Sequence, residues 1–319
     1  MSALGSVIRA ELFKAVRKRR TYILAALWWV LLPALLLIVG RVVQVNVSGS
    51  FVEENVPVRD LVQLIAAPFG ISRLALTLPA LVSPSFYIIV ISLLAALFIG
   101  EERSQNMWKT VLVAQPKRLA VLAGKFVVAM LILGVYLLGA YLSGLVFGAV
   151  GTLFLPTDFG GDWLGLASLY GLQWLYAVGG MSFAFLMIWL LRNQALGLVS
   201  VFFLPALLEG IYTVYATVVG FQPLNRLNAI FQALRLRQTL EDLPRYFFTS
   251  NLYAPARQPV RDLLALLGET PSGANSDFGP FANILGSGIT LEQAALVMAG
   301  YALAFGAILV WSFLRRDVT

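Results

Sequence analysis

From Leu119 to Val150 a single charged residue, Lys125, interrupts an otherwise apolar run. A run of that length and polarity is not a soluble core helix. It has the length and composition of a membrane-spanning helix, for which about 20 consecutive apolar residues suffice. Several other windows qualify, and composition agrees. The chain of 319 residues is 59% hydrophobic and only 12% charged, whereas soluble domains carry about 25% charged residues. The expected fold class is therefore an all-α polytopic membrane protein, with no soluble core. The net charge of +7 then reads as Lys and Arg gathered at the ends of spans, and no nucleic-acid partner is expected.

Six spans are expected, at about 22–40, 84–100, 119–150, 163–191, 194–219 and 291–314. Pro33 marks a kink in the first. Ser83-Pro84 reads as an N-cap and first-turn proline opening the second. Lys125 lies one or two turns inside the third and is expected to snorkel to the interface. Ala140, Gly144 and Gly148 put small residues at every fourth position, which reads as ordinary close packing. Thr290-Leu291-Glu292-Gln293 reads as a capping box opening the sixth span.

Two long segments, 41–83 and 220–290, are expected on the outer side. The first is apolar from Leu61 to Val82 and interrupted by Pro68, Gly70, Arg73 and Pro79, so it reads as interfacial or packed helix. Most of the 23 Lys and Arg fall in short segments on one side if both termini are cytoplasmic, the distribution expected of an inner face. No internal repeat is evident.

Residues 2–20 precede the first span. Leu4, Val7, Ile8, Leu12, Ala15 and Val16 recur at helical spacing, with Arg9, Lys14, Arg17 and Arg20 off that face. This is an amphipathic helix suited to the lipid interface; the plainer reading is a basic flank that orients the first span. Glu11 falls inside the apolar arc, and Lys14 and Lys18 are near enough along the helix to pair with it.

Between the second and third spans lies the one long charged segment flanked by strongly apolar ones, 101–118. It carries Glu101, Glu102, Arg103, Trp108, Lys109, Lys117 and Arg118. It is too short to be a domain and too regular for a slack linker, and it reads as a coupling element on which something outside the membrane pushes.

The chain has no Cys and no His, which excludes disulfides, thiolate catalysis and His-based acid–base or metal chemistry. No phosphate-binding G-x-x-x-x-G-K-[ST] occurs: Gly124-Lys125 is followed by Phe126. Glu53-Glu54 and Glu241-Asp242 have no partner pattern and read as solvated. Glu209 is the one acid well inside a span. An acid at mid-bilayer costs about 2.5–3.5 kcal/mol, so Glu209 is a candidate for a translocation path. The competing reading is a structural hydrogen-bond acceptor.

The chain resembles the permease subunits of exporter-type ATP-binding-cassette transporters, the type-two permease class. The likeness rests on the amphipathic start with Glu11, Lys14 and Arg17–Arg20. It rests also on the run Gly100-Glu101-Glu102, Trp108-Lys109-Thr110, Pro116-Lys117-Arg118 and Gly124-Lys125, and on the closing Phe313-Leu314-Arg315-Arg316-Asp317. Asn106-Met107-Trp108 stands where the family often has a Gly-Thr step. The resemblance implies a subunit without catalytic residues, cofactor or metal of its own, ATP and Mg being held by a partner ATPase present in two copies. It implies an elbow helix at 2–20, a coupling helix around Glu101–Val113, a second permease chain and a bacterial inner-membrane location. It also implies an extracytoplasmic partner or exit gate for the long outer segment. Two other classes compete: an ion-coupled carrier or channel using Glu209, and a membrane-embedded enzyme.

Overall fold

The computed structural model describes residues 3–50, 58–81, 85–104, 117–191, 193–220, 243–257 and 289–315. Among these the chain is all helical, with no strand. Helix α1 is Ala3–Val16. The first span follows as α2 (Arg19–Ala26), a π turn (Leu27–Leu31) and α3 (Leu32–Ser50). Then come α4 (Val58–Ala66), α5 (Pro68–Leu81), α6 (Phe86–Ala95) with a terminal π turn (Ala96–Gly100), and the short α7 (Glu101–Ser104). Further along are α8 (Arg118–Gly151), α9 (Trp163–Leu191), α10 (Gln194–Gly220), a 3-10 turn (Leu243–Tyr246), α11 (Phe248–Leu252) and α12 (Leu291–Arg315). Five helices are long and apolar enough to cross a membrane. The pair Arg59–Ala66 and Pro68–Ala80, bent by 59°, makes a sixth if counted as one broken span.

Helices α8 and α9 form the centre. Each has most of its apolar window buried, whereas the windows on α10 and α12 are largely exposed. Such exposed faces are the solvent-side pattern of a protein whose solvent is lipid. The row Ala140, Gly144 and Gly148 has a specific partner. A Cβ on Gly144 would lie 2.5 Å from the Ser72 Cα, and one on Gly148 would lie 2.2 Å from the Pro68 Cα. The small residues therefore let the backbone of α5 lie directly on α8. The Ser72 hydroxyl seals this contact by donating to the Tyr141 carbonyl at 3.0 Å. Residues 61–81 are thus packed helix, one of the two readings the interrupted apolar pattern offers, and Pro68 starts the second piece.

Several expectations need correction. The amphipathic helix ends at Val16, not at residue 20: Lys18 is extended (φ −88°, ψ 123°), and Arg19 and Arg20 open the first span. That span does not stop near residue 40 but stays helical to Ser50. Its irregularity is the π turn before Pro33, which accommodates the proline's missing donor and ring. There Trp28 and Trp29 donate to the carbonyls of Ala75 (2.8 Å) and Tyr136 (2.9 Å). Ser85, not Ser83, caps the second predicted span, its hydroxyl accepting from the Ile88 N–H at 3.2 Å; Ser83 and Pro84 lie outside the described residues. Phe86–Gly100 is shorter than an ordinary span. Thr290 does cap α12, accepting from the Gln293 N–H.

The described part of the second long segment, 243–257, packs into the helix bundle. Phe248 packs on Phe183, Tyr301 and Phe305, and Leu252 lies against the open side of Gly180. Gly180 is about 17 Å from the C-terminal end of α9 at 1.5 Å per residue. The segment therefore re-enters to the middle of the bundle. Phe248, Leu252, Ala254 and Ala256, all buried, make that possible.

A buried charge cluster as the candidate functional site

Helix α1 lies along the first turns of α8. Gly124 is what lets it approach, since a Cβ there would lie 2.6 Å from a methyl of Val7. Seating α1 at Gly124 brings Glu11, one helical turn on from Val7, against the next residue of α8, Lys125. The Lys125 ammonium contacts Glu11 Oε1 at 2.6 Å and Glu102 Oε2 at 2.8 Å. Lys125 is fully buried and the two acids nearly so. The expectation that Lys125 snorkels is therefore overturned. Its amine is held inside by two carboxylates, because a buried ammonium with two partners needs no route to water.

Lys14 closes the ring. It donates to both Glu11 oxygens at 3.2 Å and pairs with Glu102. Beside it, Lys18 pairs with Glu101, which Arg20 Nη1 also approaches at 3.4 Å. Lys18 thus binds an acid of another helix instead of Glu11, because the extended residue after α1 turns it away. Burial opposes ionisation of Glu102, yet Lys125 and then Lys14 outweigh it and hold the carboxyl below its usual range. Burial likewise works against a charged Lys14, and the Glu102 and Glu11 carboxylates hold its ammonium above the usual lysine range. Chemically the arrangement is a clamp. It ties α1, the C-terminal end of α6–α7 and the start of α8 into one charge-balanced knot.

The predicted site residues divide accordingly. Glu11, Lys14, Glu101 and Glu102 come together. Arg17 does not join them: it is exposed, with its guanidinium 4.0 Å from the centre of the Phe13 ring. Lys117 is exposed and Arg118 half-buried at the start of α8, and neither makes an ion pair with a described residue. Trp108, Lys109 and the Arg103 side chain lie outside the described residues, as does the rest of the predicted coupling helix. Lys125, Lys18 and Gly124 were not singled out as site residues. The signal for Lys125 was present: a lysine in a span and a glutamate in an apolar arc are both expensive alone, and each is the other's remedy.

Glu209 sits elsewhere. Its carboxylate accepts from the Thr249 N–H at 2.9 Å and from the Thr249 hydroxyl. It therefore fastens the re-entrant segment to α10. Nearby, the Tyr253 hydroxyl meets Ser85 Oγ at 2.7 Å, and Tyr301 donates to the Tyr246 carbonyl at 2.8 Å. The Asn251 side-chain nitrogen holds the turn by donating to the carbonyls of Arg245 and Phe247. This is the geometry of a structural acceptor. Among the described residues no group of three or more acidic side chains is placed to hold a metal ion.

Compared with known proteins, the chain matches no family profile, no curated protein and no solved structure.

Proposed function

We propose that this chain is the membrane-spanning subunit of an exporter-type ATP-binding-cassette transporter, driven by a separate ATPase. The observation that carries the reading is the charge clamp. Residues 105–116 are bracketed by α7 and α8, and Glu102 and Lys125, one on each side of that bracket, grip each other and α1. A force applied to the bracketed segment would reach the second and third spans together, and α1 with them. That is what a subunit needs if it converts movement of an external motor into movement of its helices. Binding to the ATPase in one nucleotide state more tightly than in another shifts the permease between its conformations.

In this reading Phe86–Gly100 is the second of six spans, both termini face the cytoplasm, and the setting is a bacterial inner membrane. Glu101, Glu102, Arg103, Trp108, Lys109, Lys117 and Arg118 belong to the coupling surface. Two permease chains face each other above two ATPases, which hold ATP and Mg, and the re-entrant segment around Thr249 closes the path on the far side. An ion-coupled carrier remains the rival reading. The structural role of Glu209 weighs against it.

The test is purification of the tagged chain from native membranes in mild detergent, with Mg-ATP hydrolysis assayed on the eluate. The comparison is a chain carrying Trp108→Ala and Lys109→Ala, which spares the clamp. The expected result is an ATPase bearing a phosphate-binding loop that co-elutes with the native chain and is lost with the variant. Absence of ATPase from the native eluate across mild detergents overturns the proposal.

A further inference from the structure

The clamp uses one face of α1. The opposite face carries Arg9, Phe13 and Arg17, four residues apart and hence on one stripe. Phe13 and the adjacent Val16 are each 59% exposed, and Arg9 and Arg17 are exposed beside them. The Arg17 guanidinium lies over the Phe13 ring, so the charge and the apolar ring share one exposed surface. Arg19, also exposed, follows at the bend. None of Arg9, Arg17 and Arg19 forms an ion pair with a described residue. The described carboxylates at this end, Glu11, Glu101 and Glu102, are already taken by Lys14, Lys18, Lys125 and Arg20. The outward stripe is therefore left with positive charge and an apolar ring.

We propose that this stripe is a binding site for the headgroup of an anionic phospholipid. Two observations select lipid over a soluble partner. First, the exposed apolar residues of α1 lead directly into Tyr22, Ile23, Leu27, Val30 and Leu31, the exposed face of the first span. Second, the bend between them is fixed, because the Thr21 hydroxyl donates to the Ala15 carbonyl at 3.1 Å. Phe13 and Val16 thus extend the exposed apolar surface of the first span, with the arginines beside them free to meet a phosphate. A guanidinium meets a phosphate with two parallel hydrogen bonds, and Phe13 holds one such fork in place. The site stands on the membrane-embedded character of the chain and does not depend on the permease reading.

The experiment measures the thermal midpoint of the purified full chain in detergent. It is titrated with phosphatidylglycerol, with phosphatidylcholine, or with glycerol phosphate as the free headgroup. Phosphatidylglycerol is expected to raise the midpoint at concentrations where the other two do not. An arginine at an anionic surface contributes about fivefold in affinity. Arg9→Gln with Arg17→Gln is therefore expected to raise the half-maximal concentration about 25-fold, whereas Arg41→Gln, at the other end of the first span, leaves it unchanged. Arg17→Lys, which keeps the charge and loses the planar fork, falls between. Both replaced arginines are exposed, so the fold survives their loss. Equal response to the two lipids, an unchanged double variant, or an equal response to glycerol phosphate overturns the proposal. So does a lipid response that appears only after a co-purifying protein has been stripped from α1.

Discussion

Replacing Lys125 with Met removes a fully buried ammonium and keeps most of its volume. Four charges meet at the centre of the clamp: Glu11 and Glu102, Lys14 and Lys125. The substitution leaves two buried carboxylates with one lysine, and that lysine is the partly exposed one. Removing one partner of a buried pair costs about 3–5 kcal/mol, because the other charge stays buried. Lys14 still reaches both carboxylates, which places the expected loss near the lower end, about 3 kcal/mol. Adding Glu102→Gln restores charge balance, with Glu11 facing Lys14 alone. The double variant is therefore expected to be more stable than Lys125→Met by about 1–2 kcal/mol, although it carries one more change. The assay is denaturant unfolding of the purified protein in mixed micelles, followed by tryptophan fluorescence. If Lys125→Met costs less than about 0.5 kcal/mol, or the double variant is the less stable of the two, the clamp is not the charge-balanced knot described.

Gly124→Val drives a branched side chain into Val7 and is expected to detach α1, seen as rapid proteolytic removal of the first sixteen residues while the spans stay folded. Gly148→Val meets the Pro68 backbone; overpacking typically costs about 1–3 kcal/mol, and the expected readout is a lowered unfolding midpoint with faster hydrogen exchange in α5. Glu102, with its folded pKa below the ordinary 4.5, adds stability that is present above that value and lost as pH falls through the folded one. Lys14, raised above 10.5, adds stability that is complete below that value and lost as pH climbs through the folded one. The thermal midpoint is therefore expected to fall at both ends of the pH range, and Glu102→Gln to flatten the acid side. Thr249→Val removes the hydroxyl that donates to Glu209, worth about 1–3 kcal/mol locally, and is expected to speed hydrogen exchange across 243–257 while leaving α8 and α9 unchanged.

The long helices were legible because each is a continuous apolar run with a definable end. Trp163–Leu191 and the start of α10 at Gln194 follow from where polarity resumes around Arg192-Asn193. The small-residue row on α8 was legible as a packing surface but its partner was not, since nothing local in Ala140, Gly144 or Gly148 names Pro68 and Ser72 far back in the chain. The same limit hid the clamp. Glu11 stood out as misplaced, and Lys125 as a lysine in a span. Joining them needs α1 to lie on α8, and that is decided by Gly124, a residue with no side chain to notice. The packing of 243–257 was hidden for a related reason. Its apolar residues are too few for a span, and only the aromatic surface of α9 and α12 makes their burial favourable. Ser83 and Ser85 are chemically equivalent caps, and Ser85 fulfils the role in the folded chain.

The π turn Ala96–Gly100 stands immediately before Glu101 and Glu102. A π turn holds one residue more than the helix around it, and successive residues of an α-helix are separated by about 100° of rotation. The azimuth of both carboxylates is therefore set by that single surplus residue. Were the turn to relax to ordinary winding, everything after it would swing round by about one residue's worth of rotation, and Glu102 would leave Lys125 without any helix having to unfold. The grip on the first helix is thus a matter of winding number, held in the last five residues before the charges begin.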